Sequence, residues 1–81
     1  MILVKPITTE KAVKMMEAEN KIEFFVDLRA GKQEIKKEFE KIFSAKVQSV
    51  NVQIRKNKKI AYIKLKPEHL AIDVATKLGL I

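Results

Sequence analysis

The chain has 81 residues, and its 17 Lys and Arg against 10 Asp and Glu give a formal net charge of +7. A hydrophobic content of 47%, with only two Gly and two Pro, excludes a disordered or low-complexity chain. The absence of Cys excludes disulfides, thiol catalysis and Cys-based zinc sites. The longest apolar run, Met1 to Val4, is too short for a bilayer span. We therefore expect a single soluble, intracellular domain over residues 1–81, without membrane insertion.

The net charge is confined to the second half of the chain. Residues 1–40 carry equal numbers of basic and acidic side chains, whereas Glu68 and Asp73 are the only acids after residue 40. The stretch 46–66 has no acid, and its basic residues are Lys46, Arg55, Lys56, Lys58, Lys59, Lys64 and Lys66. Such a one-sided distribution is typical of a surface that binds a polyanion. The alternative is that the lysines only aid solubility. Solubility alone, however, does not require that every acidic residue be absent from the stretch 46–66.

The first half of the chain predicts two strands and two helices. A strand over 2–5 ends at Pro6, and Thr8 or Thr9 caps a helix that runs to Asn20. Residues 21–28 alternate with a period of two, which predicts a strand. After a turn at Gly31, a helical period predicts a helix over 32–43. The expected inward side chains are Ala12, Val13, Met16, Ile22, Phe24, Val26, Leu28, Ile35, Phe39, Ile42 and Phe43.

The second half predicts a hairpin and a last helix. Strands over 46–54 and 60–66 are joined by a five-residue loop at 55–59, in which Asn57 tolerates a left-handed turn. Pro67 suits the first turn of a helix that Gly79 ends. The expected inward side chains are Val50, Val52, Ile54, Ala61, Ile63, Leu65, Leu70, Val74 and Leu78.

The order of elements, β-α-β-α-β-β-α, predicts an α+β fold in which helices pack on a mainly antiparallel four-stranded sheet. Phe25 and Tyr62 are large rings on strand faces that are otherwise polar. We expect a helix to cover that second sheet face and to pack on these rings. Stacking of the rings on nucleic-acid bases is the alternative.

The sequence offers no catalytic constellation. His69 is the only His, and no His or carboxylate spacing matches a metal site. Ser44 and Ser49 lack the context of an activated nucleophile. We therefore expect no enzyme activity, no metal and no cofactor. Lysines neutralise phosphates without reading sequence, so the pattern favours recognition of folded RNA through shape and phosphates.

Several motifs together resemble those of one family. Residues 6–12 are similar to the P-x-x-[ST]-E-K-A opening of large-subunit ribosomal protein twenty-three, and residues 20–26 resemble its second strand. Residues 30–36 resemble the start of its second helix. Phe43, Val47, Val50 and Asn51, with residues 58–65, are similar to its last strands. The ending Leu78 to Ile81 and the compact hairpin resemble the archaeal type.

The resemblance implies a protein that binds large-subunit rRNA beside the exit of the nascent-peptide tunnel, in the cytoplasm. It also implies ribosomal protein twenty-nine as a neighbour, and docking of the signal recognition particle or a nascent-chain chaperone. Glu10, with Glu17 on the same helix, is expected to dock such a factor. The short loop at 55–59 lacks the long bacterial extension, so no tunnel-lining role is implied.

We therefore predict an RNA-binding surface that combines the motif positions with the hairpin. Its members are Lys5, Thr8, Lys11, Lys14, Lys32, Gln33, Lys36, Arg55, Lys56, Lys58, Lys59, Lys64 and Lys66. The alternative function is a free-standing basic protein that binds DNA or RNA.

Overall fold

The computed structural model describes residues 2–79. The strands are β1 (Leu3–Pro6), β2 (Lys21–Val26), β3 (Val47–Arg55) and β4 (Lys58–Leu65). The helices are α1 (Glu10–Glu19), α2 (Lys32–Phe43) and α3 (Ala71–Lys77). The predicted α+β fold and the order β-α-β-α-β-β-α are therefore confirmed. Of the predicted family features, Leu80 and Ile81 lie outside the described residues.

The strands form an antiparallel sheet in the order β1-β2-β4-β3, so β1 and β3 are its edges. Because side chains alternate along a strand, each sheet face is set by sequence parity. We call the face that carries Phe24 and Ile63 the inner sheet face. The opposite face, which carries Phe25 and Tyr62, is the outer sheet face. Phe24 pairs with Ala61 and Phe25 pairs with Ile60. Inner-face side chains of β2 therefore lie beside inner-face side chains of β4, and the same holds for the outer face.

The core lies between the inner sheet face and the helices. Phe39 and Ile35 of α2 are fully buried, as are Ile22 and Ile63 of the sheet. Burial of each such side chain contributes roughly 1.5–3 kcal/mol. The core cluster comprises Leu3, Met16, Ile22, Phe24, Val26, Ala30, Ile35, Phe39, Ala45, Val47, Val50, Ala61, Ile63, Leu65, Ala71, Val74 and Ala75.

Helix starts and ends follow the capping residues. The Thr9 hydroxyl accepts a hydrogen bond from the Ala12 N–H at 3.2 Å, which fixes the start of α1. Asn20 ends α1 in the left-handed conformation, with φ +56°. Gly31 precedes α2 and its N–H donates to the Glu34 carboxylate at 3.1 Å. The predicted boundaries of both helices are thus confirmed within a residue.

The predicted five-residue hairpin loop is wrong. Strands β3 and β4 stay paired to Arg55 and Lys58, which leaves only Lys56 and Asn57 in the turn. Both turn residues have positive φ, +51° and +62°. A two-residue turn of this kind matches the right-handed twist of the flanking strands, so the ladder continues to the tip. Ile54, expected inside, is 63% exposed because the hairpin extends beyond the helix layer.

The predicted second strand is too long at its end. β2 stops at Val26, and the Asp27 carboxylate accepts a hydrogen bond from the Arg29 N–H at 2.8 Å. This side-chain turn replaces the ladder and carries Leu28 to the surface, contrary to expectation. Ile42 is likewise exposed, because Phe43 is the residue of the last α2 turn that contacts the rings of Phe24 and Phe39.

The last helix begins later than predicted. Pro67 lies in a turn, and α3 starts at Ala71, whose N–H donates to the Asn20 side-chain oxygen at 2.7 Å. Asn20 is far away in sequence, which is why local signals place the start wrongly. Leu70 consequently precedes the helix and is exposed rather than inward. Val74 and Leu78 pack on the core, and Gly79 follows with φ +75°, both as predicted.

Helix α1 borders the outer sheet face without closing it, so the expected helical cover of Phe25 and Tyr62 is partial. The core cluster includes buried side chains of α2 and α3, and Met16 of α1. Phe25 and Tyr62 are half-buried and line an open groove. Lys11 and Met15 of α1 line the same groove, so this helix forms one of its walls. Because the groove remains open, the outer sheet face is available to a partner.

Candidate nucleic-acid interface

The basic hairpin tip projects into solvent. Arg55, Lys56 and Lys58 are all exposed. Arg55 and Lys58 form the last pair of the β3–β4 ladder, and Lys56 lies in the two-residue turn between them. Lys58 places its ammonium 5.4 Å from the centre of the Phe25 ring, in a cation–π contact. The tip therefore presents several positive charges on a rigid ribbon.

Further positive charges lie on the outer sheet face. Lys5 pairs with Phe25 across β1 and β2, and lines a shallow cavity with Phe25 and Lys58. Lys64 pairs with Lys21 across β2 and β4. Like charges directly opposite on neighbouring strands repel each other. The Glu19 carboxylate, 3.2 Å from the Lys21 ammonium, partly offsets that repulsion.

An open groove of about 430 Å³ occupies the middle of the outer sheet face. Its apolar floor includes Phe25, Ile60 and Tyr62, and the Tyr62 hydroxyl donates to the Gln53 oxygen at 2.9 Å. The remaining lining residues are Ile7, Thr9, Lys11, Met15, Glu23 and Arg55. Positive side chains from α1 and β3 thus flank an apolar floor.

Glu23 is the acidic residue of this groove. Partial burial raises the pKa of its carboxyl group above the ordinary value, and the nearby Lys11 ammonium partly offsets the effect. The carboxylate therefore has less hydration than a surface one. It can accept hydrogen bonds from a partner that brings its own donors.

A second basic surface lies along the edge strand β3. Lys32, Gln33 and Lys36 line a depression of about 190 Å³ together with Gln48 and Ser49 of β3. The amphipathic α2 brings them together, because positions 32, 33 and 36 share one side of the helix. A neighbouring depression is lined by Lys36, Glu40, Ser44, Ala45, Lys46, Val47, Lys66 and His69.

The structure thus divides the predicted RNA-binding residues into groups. Lys5, Lys11, Arg55, Lys58 and Lys64 belong to the outer sheet face, and Lys56 to the hairpin turn. Lys32, Gln33, Lys36 and Lys66 belong to the α2–β3 surface.

The remaining predicted residues are Thr8, Lys14 and Lys59, of which Lys59 also lines the cavity of Lys5 and Lys58. Thr8 is exposed before α1, and Lys14 contacts Glu10 one helical turn away at 3.7 Å. Lys59 is half-buried and donates to the Ala30 carbonyl oxygen, so its ammonium is directed to the inner side of the sheet.

The two expected docking residues share one side of α1. Glu10 and Glu17 are separated by seven positions, about two turns, and both are exposed. The Glu10 side chain is 88% exposed despite its contact with Lys14. Exposed ion pairs contribute little, about 0–1 kcal/mol, so Glu10 is readily released to a partner.

Sequence reasoning did not include Glu23, Gln53, Lys46 and His69 among the site residues. Glu23 and Gln53 reach the groove through strand pairing, which no local pattern reveals. The sequence contains one indication of this groove. Phe25 lies two positions after Glu23 on the same strand, so the alternation of β2 places a ring and a carboxylate on one face.

No three His, Cys, Asp or Glu side chains between residues 2 and 79 are grouped so as to hold a metal ion. The longest helix of that part has 12 residues, and none has the length and apolar character that a membrane span needs.

Comparison with known proteins identifies the family. The family model described as Ribosomal protein L23 matches residues 1–68. The large ribosomal subunit protein uL23 of the archaeon Methanothermobacter thermautotrophicus is 40% identical over 79 residues, which cover 96% of this chain and 92% of the relative. The chain belongs to the ribosomal protein L23 family. The resemblance seen in its sequence motifs, including the archaeal type, is thereby confirmed.

Membership in the L23 family makes the chain a ribosomal protein of the large subunit, a ribonucleoprotein component that serves translation. Its location is therefore the ribosome, in the cytoplasm. The family is structural rather than catalytic. This favours the ribosomal function over a free-standing DNA- or RNA-binding protein.

Proposed function

We propose that this L23-family protein holds folded large-subunit rRNA through the hairpin tip and the outer sheet face. The observation that carries the proposal is the placement of Arg55, Lys56 and Lys58 on an exposed, rigid ribbon that continues into a basic sheet face. Such a ribbon suits a groove or junction of folded RNA, where phosphates converge. The α2–β3 surface, with Lys32, Gln33 and Lys36, supplies a second line of phosphate contacts.

The difference between the side chains on the two sheet faces supports a purely structural role. The inner sheet face is used for the core, and the outer sheet face offers positive charge and an open groove in place of catalytic groups. We therefore propose no enzyme activity and no cofactor for residues 1–81, acting as one domain. On the family resemblance, we place the protein beside the nascent-peptide tunnel exit, with ribosomal protein twenty-nine as a neighbour.

Retention on the large ribosomal particle tests this proposal. A tagged chain with Arg55, Lys56 and Lys58 all changed to Gln should dissociate from sedimented large subunits at lower salt than the wild-type chain. The matched control changes Lys37, Lys41 and Lys77, which are exposed on α2 and α3, to Gln and removes the same charge. Equal salt resistance of the two variants would remove the hairpin from the RNA interface.

A second function is favoured by the exposure of Glu10 and Glu17 on one side of α1. We propose that this side docks the signal recognition particle or a nascent-chain chaperone. Changing both residues to Lys should weaken binding of the factor to isolated large subunits while the chain stays bound to the particle. Unchanged factor binding, or loss of the chain from the particle, would refute a docking role for these two residues.

A further inference from the structure

The groove in the outer sheet face differs in character from the rest of the basic surface. Its floor is apolar and carries two aromatic rings, Phe25 and Tyr62. A surface that only neutralises phosphates needs neither rings nor a cavity, since lysines act there as point charges. The floor therefore indicates a partner with a planar apolar part.

Strand pairing sets the spacing of the floor. Glu23 pairs with Tyr62, and Phe25 pairs with Ile60, on the adjacent strands β2 and β4. Phe25 and Tyr62 are thus diagonal neighbours, whose Cα atoms are about 7–8 Å apart in such a ladder. The hydrogen bond from Tyr62 to Gln53 fixes the outer end of the phenol ring. The two rings and the Ile60 side chain therefore lie side by side on one sheet face, with the Lys58 ammonium 5.4 Å from the centre of the Phe25 ring.

The charged side chains of the groove can make two different kinds of contact with a ligand. Lys11 and Arg55, from α1 and β3, supply positive charge on its lining. Glu23 repels phosphate but accepts hydrogen bonds from amino groups, as carboxylates do from the exocyclic amino group of cytosine. A carboxylate between cations on an apolar floor suits a base edge flanked by phosphates.

We propose that this groove binds one unpaired RNA base that carries an exocyclic amino group. Phe25, Ile60 and Tyr62 contact the face of the base, and Glu23 accepts a hydrogen bond from its amino group. Lys11 and Arg55 contact the adjoining phosphates. The proposal rests on the RNA-binding function proposed above and deepens it, since it adds recognition of one class of base to the phosphate contacts.

Titration with short RNAs tests the proposal on the full chain. The probes are the single strands rC8 and rU8 and an eight-base-pair RNA duplex, because uracil lacks the amino group and a duplex has no unpaired base. Tyr62 is the only tyrosine, so its ring signals in NMR spectra report directly on the groove. We expect rC8 to shift the Tyr62 and Phe25 ring signals, to bind more tightly than rU8, and the duplex to leave those signals in place.

Three variants separate the role of the Tyr62 ring from that of its hydroxyl, and the charge of the Glu23 carboxylate from its shape. Tyr62→Leu should weaken rC8 binding at least about fivefold, the lower end of measured base stacking. Tyr62→Phe keeps the ring and should bind rC8 as the wild-type chain does. Glu23→Gln should abolish the preference for rC8 over rU8, because an amide can serve either base edge. Thermal unfolding of each variant checks that the fold is intact.

The outcomes distinguish this proposal from the broader RNA-binding function. If all three RNAs fail to bind, the base site is overturned, whereas retention on the large subunit remains the test of the broader function. If the RNAs bind but the Tyr62 ring signals do not move, RNA binding stands and the groove is left to a protein segment, which overturns the base site. Equal affinities of the wild-type chain for rC8 and rU8 overturn the role assigned to Glu23.

Discussion

Asn20 shows how a single side chain joins elements that are far apart in sequence. Its side-chain oxygen accepts from the Ala71 N–H, and its side-chain nitrogen donates to the carbonyl oxygens of His69 at 2.8 Å and Leu65 at 3.2 Å. Its backbone occupies the left-handed conformation that ends α1. One residue therefore ends one helix, starts another and holds both against β4.

Asn20→Gly should lower the free energy of unfolding by about 1–3 kcal/mol, because it keeps the left-handed backbone but leaves partly buried polar groups unpaired. Asn20→Ala should cost roughly 1–2 kcal/mol more, since Ala disfavours that conformation. Ser44→Gly, at the left-handed end of α2, is the control and should change stability little. Urea denaturation measures all three, and a fully stable Asn20→Gly chain would contradict the capping role.

The raised pKa of Glu23 predicts that the stability difference between the wild-type chain and Glu23→Gln depends on pH. Burial raises the pKa of its carboxyl group in the folded chain above the ordinary value of 4.5. The ionised form is therefore disfavoured by folding, and this cost exists above the folded pKa and disappears as the pH falls below 4.5. Glu23→Gln should raise the unfolding free energy at pH 7 and leave it nearly unchanged at pH 3.5. An equal effect at both values would show that ionisation is not the cause.

At the scale of elements, the hairpin turn is shorter and more strained than its sequence suggests. Lys56 and Asn57 both have positive φ, where Asn and Gly are preferred and Lys is disfavoured. Lys56→Asn should therefore raise the unfolding free energy by up to about 1 kcal/mol. Lys58→Asn makes the same change in an extended strand and should give no gain. A loss of stability in Lys56→Asn would contradict the assigned turn.

The elements that local patterns predict well are those whose period is unbroken. The helical spacing of Ile35 and Phe39 and the alternation of Ile22, Phe24 and Val26 gave the correct element and the correct buried face. Local patterns do not predict the ends of helices and strands that depend on contacts with residues distant in sequence. The start of α3 depends on Asn20, and the open outer sheet face depends on where the helices pack, so neither follows from neighbouring residues.

The same distinction applies to the candidate site. The acid-free stretch 46–66 indicated the basic hairpin, because charge is visible in composition. That the Lys59 ammonium points away from that surface was not predictable, since it donates to the Ala30 carbonyl oxygen on another segment. Likewise, Lys11 and Arg55 come together in one groove because α1 lies beside the sheet that contains β3, which no local pattern reveals.

At the scale of the whole molecule, the sheet separates stability from binding. The inner sheet face and the helices contain the core cluster, whereas the outer sheet face and the hairpin carry positive charge beside half-buried rings. Apart from the partly buried Glu23, substitutions on the outer face are therefore expected to alter RNA affinity with little effect on folding. This arrangement suits the proposed role of holding RNA.

The salt dependence of rRNA affinity tests the central claim most directly. Each neutralised phosphate contributes about 0.9 to the slope of log affinity against log salt for duplexes, and about 0.7 for single strands. Changing Arg55, Lys56 and Lys58 to Gln should reduce that slope by roughly 2–3, while changing Lys37, Lys41 and Lys77 should leave it nearly unchanged. A slope that the hairpin variant shares with the wild-type chain would contradict phosphate binding by the hairpin.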